Sequence, residues 1–202
     1  MNQITIEKTT LYENNKLNAI AHWVSQIGSP PIISILTVLL VAMITPSPLY
    51  WVTLYTVPII LFPSLYVFTL FKLGKLQDVH MPHRQDRIIP LLISVIVSIF
   101  VYIWFILNQA PYSFILLATA NVIQTILYFA VNLHWKISVH AAMSIAVAII
   151  AWSIWGTIAT PLWLAVPLIC WARIYTQRHT VGEVIAGIIA GTTIFGTIFL
   201  LN

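Results

Sequence analysis

The residues best suited to chemistry crowd into one stretch, Arg173-Ile174-Tyr175-Thr176-Gln177-Arg178-His179-Thr180-Val181-Gly182-Glu183. Two arginines, a histidine and a carboxylate fall within eleven residues, between one hydrophobic run and the next. Arg173 lies six residues before His179, and Glu183 four after it. A helix beginning near Thr180 would give Thr180 and Glu183 the spacing of a capping box, with His179 just ahead of the helix N-terminus. An anion held there meets free backbone N–H groups, the positive helix end and two guanidiniums. The pattern reads as a phosphate site with a nucleophilic or acid/base histidine, one of whose ring nitrogens is oriented by a carboxylate. Ordinary membrane-flanking cations beside a helix cap would look similar, so the rest of the chain has to decide.

That chain is 202 residues long, 60% apolar and only 7% charged, with a mean hydropathy of +0.95. About six to seven long apolar segments and short gaps between them predict an all-α, polytopic transmembrane helical bundle and leave no room for a soluble domain. Cys170 is the single cysteine; it excludes an intramolecular disulfide framework and is expected to pack as a small hydrophobe. The net charge of +4 comes from membrane-flanking residues, with no basic-aromatic interleaving, so no nucleic-acid partner is expected. The first long apolar run begins only near residue 31, and no cleavable signal peptide is expected.

In chain order, residues 1–28 are mixed, with Leu17, Ile20, Ala21 and Val24 at helical spacing. They predict a short interfacial helix on the membrane, broken by Gly28-Ser29-Pro30-Pro31. Residues 29–202 form the transmembrane domain. Its segments are expected at about 31–45, 50–72, 89–107, 113–133, 141–158, 161–172 and 183–201. Pro58 and Pro63 fall inside the second and predict a kink. The small-residue stripe of Ala186, Gly187, Ala190 and Gly191 in the last is expected to pack within the bundle.

Counting crossings puts the N-terminus, 72–88, 134–140 and 173–183 on one side of the bilayer. The opposite turns, near 46–50, 108–112 and 156–162, contain no Lys, Arg, His, Asp or Glu. The positive-inside rule accounts for the lysines and arginines and assigns that side to the cytoplasm. It does not explain why five acids and six histidines follow them. A polar site at one membrane surface does.

Three loops bring candidate chemistry to that surface: the stretch above, then Lys136, Ser138 and His140, then Asp78, His80, His83, Arg84, Asp86 and Arg87. Such loops suit a phosphate ester whose apolar tail stays in the bilayer. Asp78 and Asp86 are hemmed by cations and expected to pair with Arg84 and Arg87; their spacing makes no aspartate-rich prenyltransferase motif. His134 and Trp135 read as boundary anchors, and His22 as interfacial.

In the order and spacing of these motifs, over about residues 50–200, the chain resembles the type 2 phosphatidic acid phosphatase superfamily. That family shares its helical core with vanadium haloperoxidases. Its third motif appears as Ala172-Arg173, His179 and Glu183, and its second as Ile137-Ser138-Val139-His140. In the first, Arg87 fits the arginine, Ile88 replaces a proline and His80 stands where the family has lysine. The resemblance implies that His179 is the nucleophile, forming a phosphohistidine, and that Glu183 takes the place of the aspartate orienting it. By the same resemblance His140 is the general acid, while Arg87, Arg173 and Ser138 bind phosphate oxygens. Arg84, or alternatively Lys136, would replace the missing lysine. The implied protein is a membrane lipid phosphatase needing no metal or other cofactor. Its substrate would be a polyprenyl phosphate or diphosphate, phosphatidic acid or phosphatidylglycerophosphate. Many members of that family face outward, which pulls against the cytoplasmic assignment. Two rivals remain open: a phosphotransferase with the same chemistry, and a transporter or scaffold that kept the fold without catalysis.

Overall fold

The structure, a computed structural model, describes residues 16–46, 48–79, 81 and 83–201. Nine α-helices run through them: α1 (Lys16–Ile27), α2 (Pro30–Met43), α3 (Pro48–Thr56), α4 (Phe62–Lys72), α5 (Ile88–Leu107), α6 (Tyr112–Asn132), α7 (Val139–Trp155), α8 (Thr160–Tyr175) and α9 (Val181–Leu200). There is no strand among the described residues. Five helical stretches are long and apolar enough to cross a membrane, and the chain is a multi-pass membrane protein in form. Leu49, Leu65, Ile96 and Phe100 stand outward and exposed, as lipid-facing side chains do.

The prolines of the second segment do not break it. α3 and α4 run on as one span, Leu49–Lys72, joined by a π-helical turn at Val57–Leu61 that takes up Pro58. A wide turn of this kind absorbs a missing N–H without ending the helix. The fourth stretch, Val139–Tyr175, folds back on itself. Gly156 has φ +57°, a conformation open to glycine, and Pro161 lies in the first turn of α8. α7 and α8 then pack side by side, with Trp152 edge-on to Trp163 at 6.2 Å.

α7 is the centre of the bundle. Every residue from His140 to Ala151 is buried, and α2, α8 and α9 pack around it. Five alanines among those residues let the neighbours come close. α9 approaches most tightly: a Cβ on Gly187 would lie 2.5 Å from the Ser138 carbonyl oxygen, and one on Gly191 2.5 Å from that of Ala142. The small-residue stripe therefore serves packing inside the bundle. α5 and α6 form a second pair, and α6 also leans on α9.

This packing sorts the loops into two sets. At one end Thr45 Oγ1 meets Ser113 Oγ at 2.8 Å, beside turns that carry no charge. At the other, loops 73–87, 133–138 and 176–180 are tied together by Asn132 Nδ2 to the Arg84 carbonyl (3.1 Å), by Arg178 to Asp78 (2.6 Å) and by the Ser138 N–H to the Glu183 carbonyl (3.0 Å). α1 meets α2 at 46°. It turns Ala21, Ser25 and Gly28 inward, with Trp23 and Ile27 outward.

Gly187→Ala should destabilise the fold by about 1–3 kcal/mol, because a methyl group must displace the α7 backbone. Gly196→Ala, where no neighbouring element lies within 4 Å, should be neutral or slightly stabilising. Thermal unfolding in detergent checks this; equal transition temperatures for the two variants would rule out the close α7–α9 contact.

Candidate active site

The spacing of Arg173 and His179 follows from how α8 ends. The N–H of Gln177 bonds to the Ile174 carbonyl (2.9 Å) and that of Arg178 to the Arg173 carbonyl (3.1 Å), while Gln177 takes φ +55°. This is a Schellman cap, with glutamine in the left-handed position usually given to glycine. The His179 N–H bonds to the same Arg173 carbonyl at 3.2 Å. One residue later α9 begins with the capping box expected of it: the Thr180 hydroxyl accepts from the Glu183 N–H (3.3 Å), and Glu183 Oε2 from the Thr180 N–H (3.2 Å). His179 is thus held between the end of one helix and the start of the next.

The same carboxylate oxygen lies 2.7 Å from His179 Nδ1. A carboxylate only accepts, so Nδ1–H donates and the lone pair is left on Nε2. Both residues are buried, at 6% and 5% exposure. Burial first, then the Arg173 and Arg87 charges, lowers the His179 pKa to about 4, against the upward pull of Glu183. The imidazole is neutral at pH 7, as a nucleophile must be.

His179 lines a cavity of about 570 Å³. Arg87, Arg173, His140 and Asn132 are among the polar side chains that line it, and Pro31, Pro63, Val67, Phe68, Leu91 and Val139 among the apolar ones. α4 has no buried residue, so the wall on that side is a single helix. Arg173 is 3% exposed and donates from Nη1 to Ser25 Oγ at 2.7 Å. Arg87 donates from Nε to the Met81 carbonyl at 2.7 Å. On the other side of His179 a smaller hollow of about 290 Å³ is bordered by Lys136, Arg178, Thr180 and Glu183.

Comparison of the chain with protein-family models, with curated proteins and with solved structures finds no match.

The structure therefore brings His179, Glu183, His140, Arg87 and Arg173 together. The other expected phosphate ligands are placed differently. The Ser138 hydroxyl is fully buried and caps α7, accepting from the Ala141 N–H at 3.4 Å. Arg84 is exposed and donates to the Leu133 carbonyl at 2.6 Å, so it does not line the cavity. Lys136 lies 3.9 Å from Glu183 Oε1, at the smaller hollow. His80 lies outside the described residues. Asp78 pairs with Arg178, a partner that the sequence reading did not name. Among the described residues no three His, Cys, Asp or Glu side chains are placed to hold a metal ion.

Sequence reading missed Ser25, Gln26, Tyr128 and Asn132, all in contact with this site. For two of them a signal existed. Gln124, Tyr128 and Asn132 recur every fourth residue on the mostly apolar α6 and are all buried. A polar stripe in a membrane helix marks an inward, site-facing side.

Glu183→Gln removes the one influence that raises the His179 pKa, and its amide presents either the wrong atom to Nδ1–H or no charge at all. We expect a loss in kcat/KM of at least about 100-fold, a cap penalty of about 1 kcal/mol, and near-retention of activity in Glu183→Asp. In the wild type, the acid limb of kcat/KM due to His179 should fall near pH 4 and not near 6.5. The sign for stability is the same: below the ordinary histidine pKa the unfolded chain takes up a proton that the folded one resists, so stability falls as pH drops towards 4. Wild-type rates in Glu183→Gln would reduce this carboxylate to a helix cap.

Proposed function

We propose that this protein is an integral membrane phosphatase that hydrolyses a lipid phosphate through a phosphohistidine on His179. One observation carries the reading. A neutral, carboxylate-oriented histidine shares a cavity with two guanidiniums and a run of apolar side chains, among them Pro63, Val67, Phe68 and Leu91. Soluble phosphate esters have no use for such walls, whereas a lipid phosphate matches both ends. Its head meets Arg87 and Arg173, and its tail lies along Phe68, Val67 and Leu91 and leaves past α4 into the bilayer. The resemblance of the three loops to the type 2 phosphatidic acid phosphatases supports the same assignment.

The reaction follows from the groups present. His179 Nε2 attacks phosphorus in line, and the P–O bond to the lipid breaks as the P–N bond forms. His140 gives its proton to the departing oxygen, releasing the lipid alcohol, or the lipid monophosphate from a diphosphate. The two arginines carry the charge on the equatorial oxygens. His140, now neutral, takes a proton from water, whose oxygen attacks phosphorus and expels His179. Orthophosphate leaves, and the enzyme returns to its starting state.

Release of orthophosphate from a panel of lipid phosphates, in EDTA, is the direct test. His179→Ala should lower the rate by more than about 100-fold while the protein remains folded. His140→Ala should spare an activated aryl phosphate, whose leaving group needs no proton. Residual turnover above that level in His179→Ala would exclude this mechanism.

We further infer that the site faces the cytoplasm. Lys72, Lys75 and Arg178 lie at its end of the bundle outside the cavity lining, and the turns at the other end carry no cation. In a Cys170→Ala background, Gln109→Cys should react with a membrane-impermeant thiol reagent in intact cells, and Gln77→Cys should not. The reverse labelling pattern would turn the protein over.

A further inference from the structure

Arg173 is reached from α1, whose Ser25 lies 148 residues earlier in the chain. Its Nη1 donates to the Ser25 hydroxyl at 2.7 Å, with both side chains buried. Its Nε has no hydrogen-bond partner among the described residues, although the side chain lines the cavity. A buried guanidinium N–H left without an acceptor is costly, and an oxyanion entering the cavity supplies one.

The contact depends on an unusually close approach. A Cβ on Gly28 would lie 2.8 Å from Ile169 Cγ1. Ile169 and Arg173 stand one turn apart on α8, as do Ser25 and Gly28, the residue that follows α1, so the glycine brings the serine to the arginine. Ala21, a turn earlier on the same face, is fully buried. The tether has a chemical consequence. A free arginine side chain loses much rotamer freedom when it clamps a phosphate, whereas one fixed beforehand does not.

We propose that Ser25 is a positioning residue of the phosphate site, its hydroxyl fixing the Arg173 guanidinium so that the remaining N–H groups meet phosphoryl oxygens. The inference rests on the phosphate-site reading above and makes α1 a working part of the site. It also gives Gly28 a role, as the point where α1 and α8 must touch.

The test uses the full chain in detergent, with inorganic phosphate as the probe. Binding is read as the phosphate-dependent rise in transition temperature, and orthophosphate release from a lipid phosphate is measured in parallel. Ser25→Ala should weaken phosphate affinity about tenfold, and Ser25→Thr should restore it. In an Arg173→Lys background, Ser25→Ala should have no further effect, because the two residues act as one unit. If Ser25→Ala fails to fold, Ser25→Cys, similar in shape but a weak hydrogen-bonding group, reads the same loss. Wild-type phosphate affinity in Ser25→Ala or Ser25→Cys overturns the proposal, and with turnover intact it leaves the phosphatase reading standing. A Ser25→Ala loss of equal size in the Arg173→Lys background also overturns it, because that loss would come from helix packing alone. No phosphate response in the wild-type protein overturns the positioning proposal, and the absence of orthophosphate release overturns the phosphatase reading with it.

Discussion

The Glu183 carboxylate is the contact on which the site depends. Its Oε2 accepts from both His179 Nδ1 and the Thr180 N–H, and Lys136 stands 3.9 Å from Oε1. Its backbone carbonyl accepts from Ser138. One residue therefore starts α9, sets the tautomer of the histidine and fastens the second loop to the third. A capping glutamate is common in helices; here the residue just before the cap is the candidate nucleophile, so the cap and the orienting bond are the same carboxylate oxygen. This also gives glutamate a rationale where the resembled family has aspartate, since the capping box favours the longer side chain.

Around that contact the bundle keeps polar chemistry at one end and in one cavity. α7 and α9 touch at glycine, which brings Ser138 within reach of Glu183 and sets His140 in the lining of the same cavity as His179. The charges left outside are largely accounted for: Arg178 by Asp78, and Lys136 by Glu183. Two arginines then face a low-dielectric, mostly apolar space, where their charge acts more strongly on a bound anion than it would in water. The same burial holds the His179 ring neutral, while the far more basic guanidiniums keep their charge. The candidate nucleophile and its proposed clamp are thereby separated in charge by the same environment.

How much of this was legible in the sequence depends on distance along the chain. The 173–183 stretch could be read because its geometry is local, a helix ending, a helix starting and side chains three or four residues apart. The transmembrane segments could be read from apolar run length, to within a few residues at most ends. Their prolines gave the place of a distortion but not its form, because a π turn and a kink begin from the same missing N–H. Arg84 illustrates the limit. It shares a loop with Arg87 and has the same chemistry, yet its reach is decided by the turn after α6, through Leu133 and Asn132. Ser25 lies further still from its partner, and nothing in α1 distinguishes that serine from an interfacial one. Only the packing of α1 on α8 does so.

The central claim is that His179 carries the phosphoryl group. The decisive measurement is an acid-free, alkaline quench of the detergent-solubilised protein with a lipid phosphate labelled in its phosphoryl group, followed by peptide mapping. The account predicts an acid-labile, alkali-stable phosphoryl group on the peptide containing His179, absent in His179→Ala and longer-lived in His140→Ala. Turnover of the lipid with no protein-bound phosphoryl group at any time, or with the label on a residue other than His179, would contradict it.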